Sequence, residues 1–128
     1  MKSEAFIKSI KSVVHDSGVS GVVKTLEHPS GRKPPQRLVE LSDWFRSLSA
    51  SDRARVEQVI QLGVHSGVFG FLAVLDGVRS IEDGHDKGSL ELSYRRGDER
   101  DILTDSSQEM LHDIYQSHVY EQVFGSAA

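Results

Sequence analysis

The chain has 128 residues, of which 38% are hydrophobic and 27% charged, proportions typical of one folded globular domain rather than a disordered segment. It contains no cysteine, which excludes disulfide bonds, thiolate metal sites and a cysteine nucleophile. The net charge of −4 is uneven: residues 1–60 carry ten lysines and arginines against seven acids (+3), and residues 61–128 carry five against twelve (−7).

The N-terminal segment predicts a helix and contains no secretory signal. Apolar residues recur at three- and four-residue spacing, which predicts an amphipathic helix over about residues 3–15 that ends before Gly18. Lysines among these apolar residues leave no room for the apolar core of a signal peptide. The longest uncharged run, residues 58–75, contains polar side chains and three glycines, so we interpret it as too polar and too interrupted to span a bilayer. We therefore expect a cytoplasmic protein without a membrane partner.

A second short helix is predicted for residues 19–27, where the apolar spacing fits a helix although the paired valines would also suit a strand. Prolines and glycine in residues 28–37 predict a basic loop. We predict a single domain over residues 1–128, with an N-terminal helical arm (1–27) that the loop at 28–35 joins to the main body.

Two further helices are predicted after this loop. Pro35 suits the first turn of a helix, and apolar residues then follow at helical spacing. Trp44 lies among them, and we interpret it as a core anchor. Ser49 begins an S-x-x-D capping box, with Ser51 as the alternative cap. The pattern that follows predicts a helix of about 25 residues, the longest and most central element.

The C-terminal half predicts a loop, a hairpin and a last helix. Residues 79–88 are polar, and residues 89–104 alternate around Gly97, which predicts a β-hairpin. Asp105 is the predicted cap of the last helix, which ends at Gly125. The predicted fold is α+β and mostly α-helical: flanking helices pack on a long central helix, and one β-hairpin lies in the C-terminal half.

Four glycines interrupt the apolar pattern of the long helix: Gly63, Gly67, Gly70 and Gly77. At about 100° per residue they fall on one side of the helix. Each interior glycine costs about 1 kcal/mol relative to alanine, so an interaction should offset the loss. We expect close packing by another backbone segment. The alternatives are a helix that ends early, with residues 71–75 forming a strand, and a ligand cleft walled by backbone.

No motif in the sequence predicts catalysis, a cofactor or a metal site. The six histidines lack the i, i+4 spacing that places two imidazoles on one helical face, and no nucleophile motif occurs. His65 and Asp76 share a line on the long helix, but eleven residues separate them by about 16 Å. We interpret Asp76 as a partner of Arg79 in a surface ion pair.

The acidic second half suggests a binding surface. We predict a partner-binding role for acids of the polar loop and the hairpin, namely Asp83, Asp86, Asp98, Glu99 and Asp101. Such a surface favours a basic protein partner and disfavours nucleic acid, whose phosphates need clustered lysines and arginines. The favoured function is a non-enzymatic binding module, analogous in surface charge alone to immunity and inhibitor proteins.

Two alternatives remain from the sequence. One is a small enzyme or ligand-binding domain with a cleft beside Gly63–Gly77, in which His65 and Asp76 are the polar groups. The other is a structural homo-oligomer, such as a homodimer, in which the glycine stripe is the seam between subunits.

Overall fold

The computed structural model describes residues 1–126 and has a mostly helical α+β fold. The predicted fold class is confirmed, because flanking helices pack on a long central helix and a two-stranded hairpin lies in the C-terminal half. The elements in chain order are α1 (Ser3–Ile10), a π-helical segment (Lys11–Asp16), α2 (Ser17–Glu27), α3 (Gln36–Ser47), α4 (Ala50–Leu75), β1 (Ser93–Arg96), β2 (Glu99–Ile102) and α5 (Leu111–Phe124).

The N-terminal helix is longer than predicted. α1, the π-helical segment and α2 follow one another without interruption, so the predicted end before Gly18 was wrong, whereas the predicted helix over residues 19–27 is confirmed as α2. Gly18 has an ordinary helical conformation, and the side chain of Val64 lies 3.6 Å from the position that a Cβ would occupy on it. This glycine therefore lies inside the helix beside α4 and does not end it, and the distance would also accommodate the methyl group of an alanine.

α3 presents only a narrow stripe to the interior. It begins at Gln36, directly after Pro35, and packs on α2. Ser42 and Phe45 are buried, but Trp44 is 49% exposed, so the prediction that it anchors the core was wrong. A helix that packs on a single neighbour buries one stripe only, and Trp44 lies beside that stripe.

α4 is the central helix, and its N-terminus is capped as predicted. The Ser49 hydroxyl accepts a hydrogen bond from the backbone N–H of Asp52 at 3.1 Å. The helix continues unbroken to Leu75, so the alternative in which residues 71–75 form a strand was wrong. α4 packs along α5 on one side and α2 on another.

Among the described residues, α4 is the one helix long and apolar enough to cross a membrane by length and composition. This helix contains residues 58–75, the stretch that the sequence analysis interpreted as too polar and too interrupted for a span. Core helices of globular proteins also meet both criteria. Here most of the apolar stretch is not buried inside the protein.

The predicted hairpin is confirmed. β1 and β2 are antiparallel, and Arg96 lies opposite Glu99 across a two-residue turn. Gly97 has φ +61° at the first turn position, the conformation that a type II′ turn requires and that glycine adopts without strain. Beyond the strands, the N–H of Leu103 donates to the carbonyl of Leu92 at 2.8 Å, and the buried Leu103 side chain ties the hairpin to the core.

α5 supplies most of the core. It begins at Leu111, so the prediction that Asp105 caps it was wrong; the Asp105 carboxylate instead accepts from the N–H of Ser107 at 3.0 Å in a local turn. The buried apolar cluster combines residues from α1, the end of α4, the segment after β2 and α5: Ile7, Leu72, Leu103, Leu111, Ile114, Tyr115, Val119 and Val123.

No other backbone segment of the chain packs closely on Gly63 or Gly67, so the prediction of close packing was wrong for these two glycines. A Cβ added at Gly63 or Gly67 would meet no atom within 4 Å, since α5 and α2 pack on other faces of α4. Gly70 is covered by the guanidinium of Arg79, which lies against the helix backbone. Gly77 has φ +78° just after the helix, where glycine avoids backbone strain.

We expect Gly63→Ala and Gly67→Ala each to raise the free energy of unfolding by about 0.5–1 kcal/mol, because alanine is the better helix former and both sites have open space. Urea denaturation followed by circular dichroism measures this change. The matched control, Gly77→Ala, should lower stability because of its positive φ. A loss of stability at Gly63 or Gly67 would contradict the open geometry.

Candidate functional site

Asp76 joins the end of α4 to the start of α5. Its side chain is 2% exposed and accepts three hydrogen bonds: from the N–H of Leu111 at 3.1 Å, the N–H of His112 at 2.8 Å and the Nδ1 of His112 at 2.6 Å. The predicted surface ion pair with Arg79 was therefore wrong. α5 has no side-chain cap of its own, so Asp76 satisfies its first N–H groups from a distant point in the sequence.

The imidazole of His112 is held in one orientation. Its Nδ1 donates to Asp76, its Nε2 lies 3.3 Å from the Asp113 carboxylate, and its edge packs on Phe69 with ring centroids 5.3 Å apart. A carboxylate that orients an imidazole is an arrangement also found at general bases. Here the ring is largely buried and contacted at both nitrogens, so its evident role is to link α4 to α5.

His65 lies inside the aromatic core and does not line a cleft. Its ring stacks on Phe69 and Tyr115 at centroid distances of 5.5 and 5.7 Å, and its Nε2 pairs with Gln116 Oε1 at 2.6 Å. The structure does not bring His65 and Asp76 together, in agreement with their sequence separation. The alternative in which both serve one cleft as polar groups is not supported by these positions.

His15 is fully buried, and no pattern in the sequence singles it out. It lies in the π-helical segment, where its Nε2 pairs with Gln61 Oε1 at 2.7 Å and its Nδ1 with the Tyr115 hydroxyl at 2.6 Å. Because Nε2 donates to the amide oxygen, Nδ1 accepts from the hydroxyl. Burial, assisted by the charge of Asp16, raises the pKa of Tyr115 well above its usual range, so the phenol keeps its proton and donates.

Asp16 borders this buried group. Burial pushes the pKa of Asp16 upward, but hydrogen bonds from Gln122 at 2.9 Å and Lys11 at 2.9 Å together hold it below the usual value. Gln122 also approaches Gln61 Oε1 at 3.4 Å. The polar groups between the N-terminal helix, α4 and α5 therefore form one connected network.

A cleft of about 880 Å³ lies at the C-terminal end of α4. Its walls are the end of α4, the loop over residues 79–91 and the segment that follows β2. Gly77 lines it, whereas Gly63, Gly67 and Gly70 do not, so the cleft is not beside the glycine stripe as the sequence alternative had it. Charged side chains dominate its polar lining: Asp76, Arg79, Glu82, Lys87, Glu91 and Asp105.

Four of the five predicted partner-binding acids are exposed. Asp83 and Asp86 lie in the loop that walls the cleft, and Asp98 and Glu99 lie at the hairpin turn. None of the four forms an ion pair within residues 1–126. The fifth, Asp101, is not available to a partner in the same way.

The Asp101 side chain is 12% exposed and already has cationic partners. Its carboxylate contacts the Lys2 ammonium at 2.7 Å and the Met1 amino group at 2.8 Å. These two groups attach the N-terminus to the hairpin. Only the tertiary structure shows that Asp101, which we predicted to bind a partner, already has cationic partners within the chain.

No protein family, curated protein or solved structure matches the chain. Within the part of the chain that the structure describes, no three histidine, aspartate or glutamate side chains converge on a point that could hold a metal ion. The function is therefore inferred from the cleft, its charges and the exposed surfaces.

We expect Asp76→Asn to lower the free energy of unfolding by about 2–3 kcal/mol, because the buried carboxylate accepts three hydrogen bonds that the amide cannot all replace. Urea denaturation measures the loss. Asp113→Asn, which alters an exposed carboxylate beside the same imidazole, should change stability by less than about 0.5 kcal/mol. Equal losses in the two variants would show that Asp76 does not cap α5.

Asp101 should titrate below its ordinary pKa of 3.8, because the hydrogen bonds from Lys2 and the N-terminus favour the carboxylate. Its contribution to stability is therefore present above that pKa and is lost as the pH falls through the lower value of the folded state. Carboxyl-carbon NMR measures the titration. In Lys2→Ala the pKa should rise toward 3.8, whereas Lys8→Ala, which alters an exposed lysine of α1, should leave it unchanged.

Proposed function

We propose that this protein is a non-enzymatic binding module that holds a basic protein partner through exposed carboxylates of the loop beside the cleft and of the hairpin turn. The observation that carries the proposal is the exposure of Asp83, Asp86, Asp98 and Glu99, which form no ion pairs among the described residues. The more buried Asp76 and Asp101, by contrast, are occupied within the chain.

The cleft supports the same proposal from its lining. Glu82 and Asp105 add carboxylates to its walls and Arg79 and Lys87 add cations, while Glu91 pairs with Arg100 at 2.8 Å. Carboxylates that converge on a concave surface attract a cationic partner and speed its association. A lysine- or arginine-bearing segment of a partner is the ligand that fits this charge.

The proposed binding surface lies on a loop, and the core holds the helices and the hairpin beside that loop in place. Residues 79–92 contain no helix or strand, while α4, α5 and the hairpin that border them are fixed by the core. Binding residues are commonly placed on loops that a rigid scaffold positions. The ring nitrogens of His15 and His112 are engaged in contacts inside that scaffold, which fits a binding rather than a catalytic role.

We propose that this binding protein is of the inhibitor or immunity type, because a small acidic protein can cover the basic active surface of another protein. We also propose a cytoplasmic location. A cysteine-free sequence supports it, since such a chain needs no disulfide for stability.

The test compares affinity purification with the natural chain and with Asp83→Lys/Asp86→Lys as bait, in lysate of the source cells. A partner captured by the natural chain should bind the double variant about tenfold more weakly, since each exposed ion pair contributes up to about 1 kcal/mol. Raising the salt concentration should weaken the natural complex as well.

The matched control is Glu27→Lys/Glu40→Lys, which makes the same change in net charge on α2 and α3, away from the cleft. It should capture the partner as the natural chain does. Equal losses of partner binding in both double variants would show that the effect depends on net charge alone, which would contradict the proposal. Equal capture by all three proteins would contradict the proposal that the acids around the cleft form the binding site.

A further inference from the structure

The cleft at the end of α4 lies where the β-hairpin opens into two arms, one before β1 and one after β2. Backbone pairing between the arms ends where the N–H of Leu103 donates to the carbonyl of Leu92 at 2.8 Å. The N–H of Leu92 donates to the side-chain hydroxyl of Thr104 at 3.1 Å and so makes no further backbone pair. Residues 88–91 of the first arm and 104–106 of the second both line the cleft.

The backbone of the first arm is available for hydrogen bonding. Within residues 1–126, the backbone N–H and carbonyl groups of residues 89–91 take part in no hydrogen bond. The residues on either side are held in place, since the N–H of Gly88 donates to the Glu82 carboxylate at 3.2 Å and Leu92 is bonded to the second arm. Free backbone groups that continue a strand are where an extended peptide pairs as an added strand.

Apolar side chains line the same cleft and are not covered by the core. Ile81 is 67% exposed, Leu90 47% and Ile102 38%. Leu92 and Tyr94, which follow Leu90 at two-residue intervals, pack against the buried apolar cluster, whereas Leu90 does not belong to it. Exposed apolar side chains that line one concave surface favour contact with an apolar side chain of a ligand.

The charges beside the cleft fit basic side chains of a ligand. The exposed Asp83 and Asp86 form no ion pair within residues 1–126. Of the two cations that line the cleft, Arg79 places its guanidinium against Gly70, which lies outside the lining. Successive side chains of an extended peptide point to opposite sides. A peptide that alternates apolar and basic residues therefore presents one kind to the cleft and the other to the loop acids.

We propose that the cleft holds an extended segment of the basic partner, which pairs as an added strand along residues 89–91 and alternates apolar with basic side chains. This inference rests on the proposed function, because it names the part of the partner that enters the cleft. It adds two requirements that charge alone does not make, namely backbone pairing and an apolar contact at Leu90.

Synthetic peptides test the apolar contact. The probe is a short, blocked, fluorescein-labelled peptide that alternates lysine with valine, and its binding is measured by fluorescence anisotropy. A peptide that alternates lysine with serine keeps the charge and should bind about tenfold more weakly, because it cannot bury an apolar side chain on Leu90 and Ile81. Equal affinities of the two peptides, or no binding of the lysine–valine peptide, would overturn the proposal.

Methylation of the peptide's own backbone amides tests the pairing. In an extended strand the N–H groups of alternate residues point to the same edge. Methylating the lysine amides in one version and the valine amides in another therefore blocks one edge at a time. One version should bind about tenfold more weakly and the other like the parent peptide, since only one edge pairs with residues 89–91. Equal effects of the two methylations would contradict this pairing.

Leu90→Ser locates the contact on the protein. This variant should fold, because Leu90 lies outside the buried cluster, and circular dichroism checks that it does. It should bind the lysine–valine peptide about tenfold more weakly and the lysine–serine peptide unchanged. The matched control is Leu41→Ser, which alters a similarly exposed leucine on α3 and should bind both peptides like the natural chain. Unchanged binding by Leu90→Ser would overturn the contact.

Two outcomes separate this inference from the proposed function. If the lysine–valine and lysine–serine peptides bind equally, and Asp83→Lys/Asp86→Lys weakens both, the added strand is overturned while the proposed function stands. If instead a peptide that alternates valine with serine binds as tightly as the lysine–valine peptide, the ligand need not be basic. That result would overturn the basic partner in both proposals.

Discussion

The contact on which the arrangement depends is the buried carboxylate of Asp76. A charge removed from water is unfavourable unless hydrogen bonds compensate for it, and Asp76 has three such bonds from the first residues of α5. The positive end of the α5 helix dipole adds a favourable interaction. This contact fixes where α5 begins, and α5 supplies most of the buried apolar residues. The core and the floor of the cleft are therefore positioned by the same side chain.

A second set of polar contacts holds the N-terminal helix in place. His15 is placed inward by the π-helical segment and reaches both Tyr115 and Gln61, so one imidazole connects the N-terminal helix with α5 and α4. Each buried polar atom in these contacts has a partner, and a satisfied network of this kind favours one packing over its alternatives. The apolar residues around it provide the larger share of the stabilisation.

These internal contacts leave two surfaces of opposite character. One is the charged lining of the cleft, where we propose that a basic partner binds. The other is an apolar face of α4, where the exposed Val59 and Phe71 stand on either side of two glycines with open space above their backbone.

The sequence by itself determined the type and order of the elements. Periodic apolar residues, the Ser49 cap and the Gly97 turn are local features, and they predicted α4, α5 and the hairpin because neighbouring residues decide helix and turn geometry. The exposed acids of the loop were also predictable, since charged residues in a polar segment remain in water.

Only the tertiary structure decided which side chains meet. The bonds of Asp76 to α5, of His15 to Tyr115 and of Asp101 to Lys2 join residues between 35 and 100 positions apart, and no local pattern records such pairs. The same reason explains the errors at Trp44 and at the glycines: helical spacing identifies a face, but the neighbours that happen to pack there decide whether that face is buried.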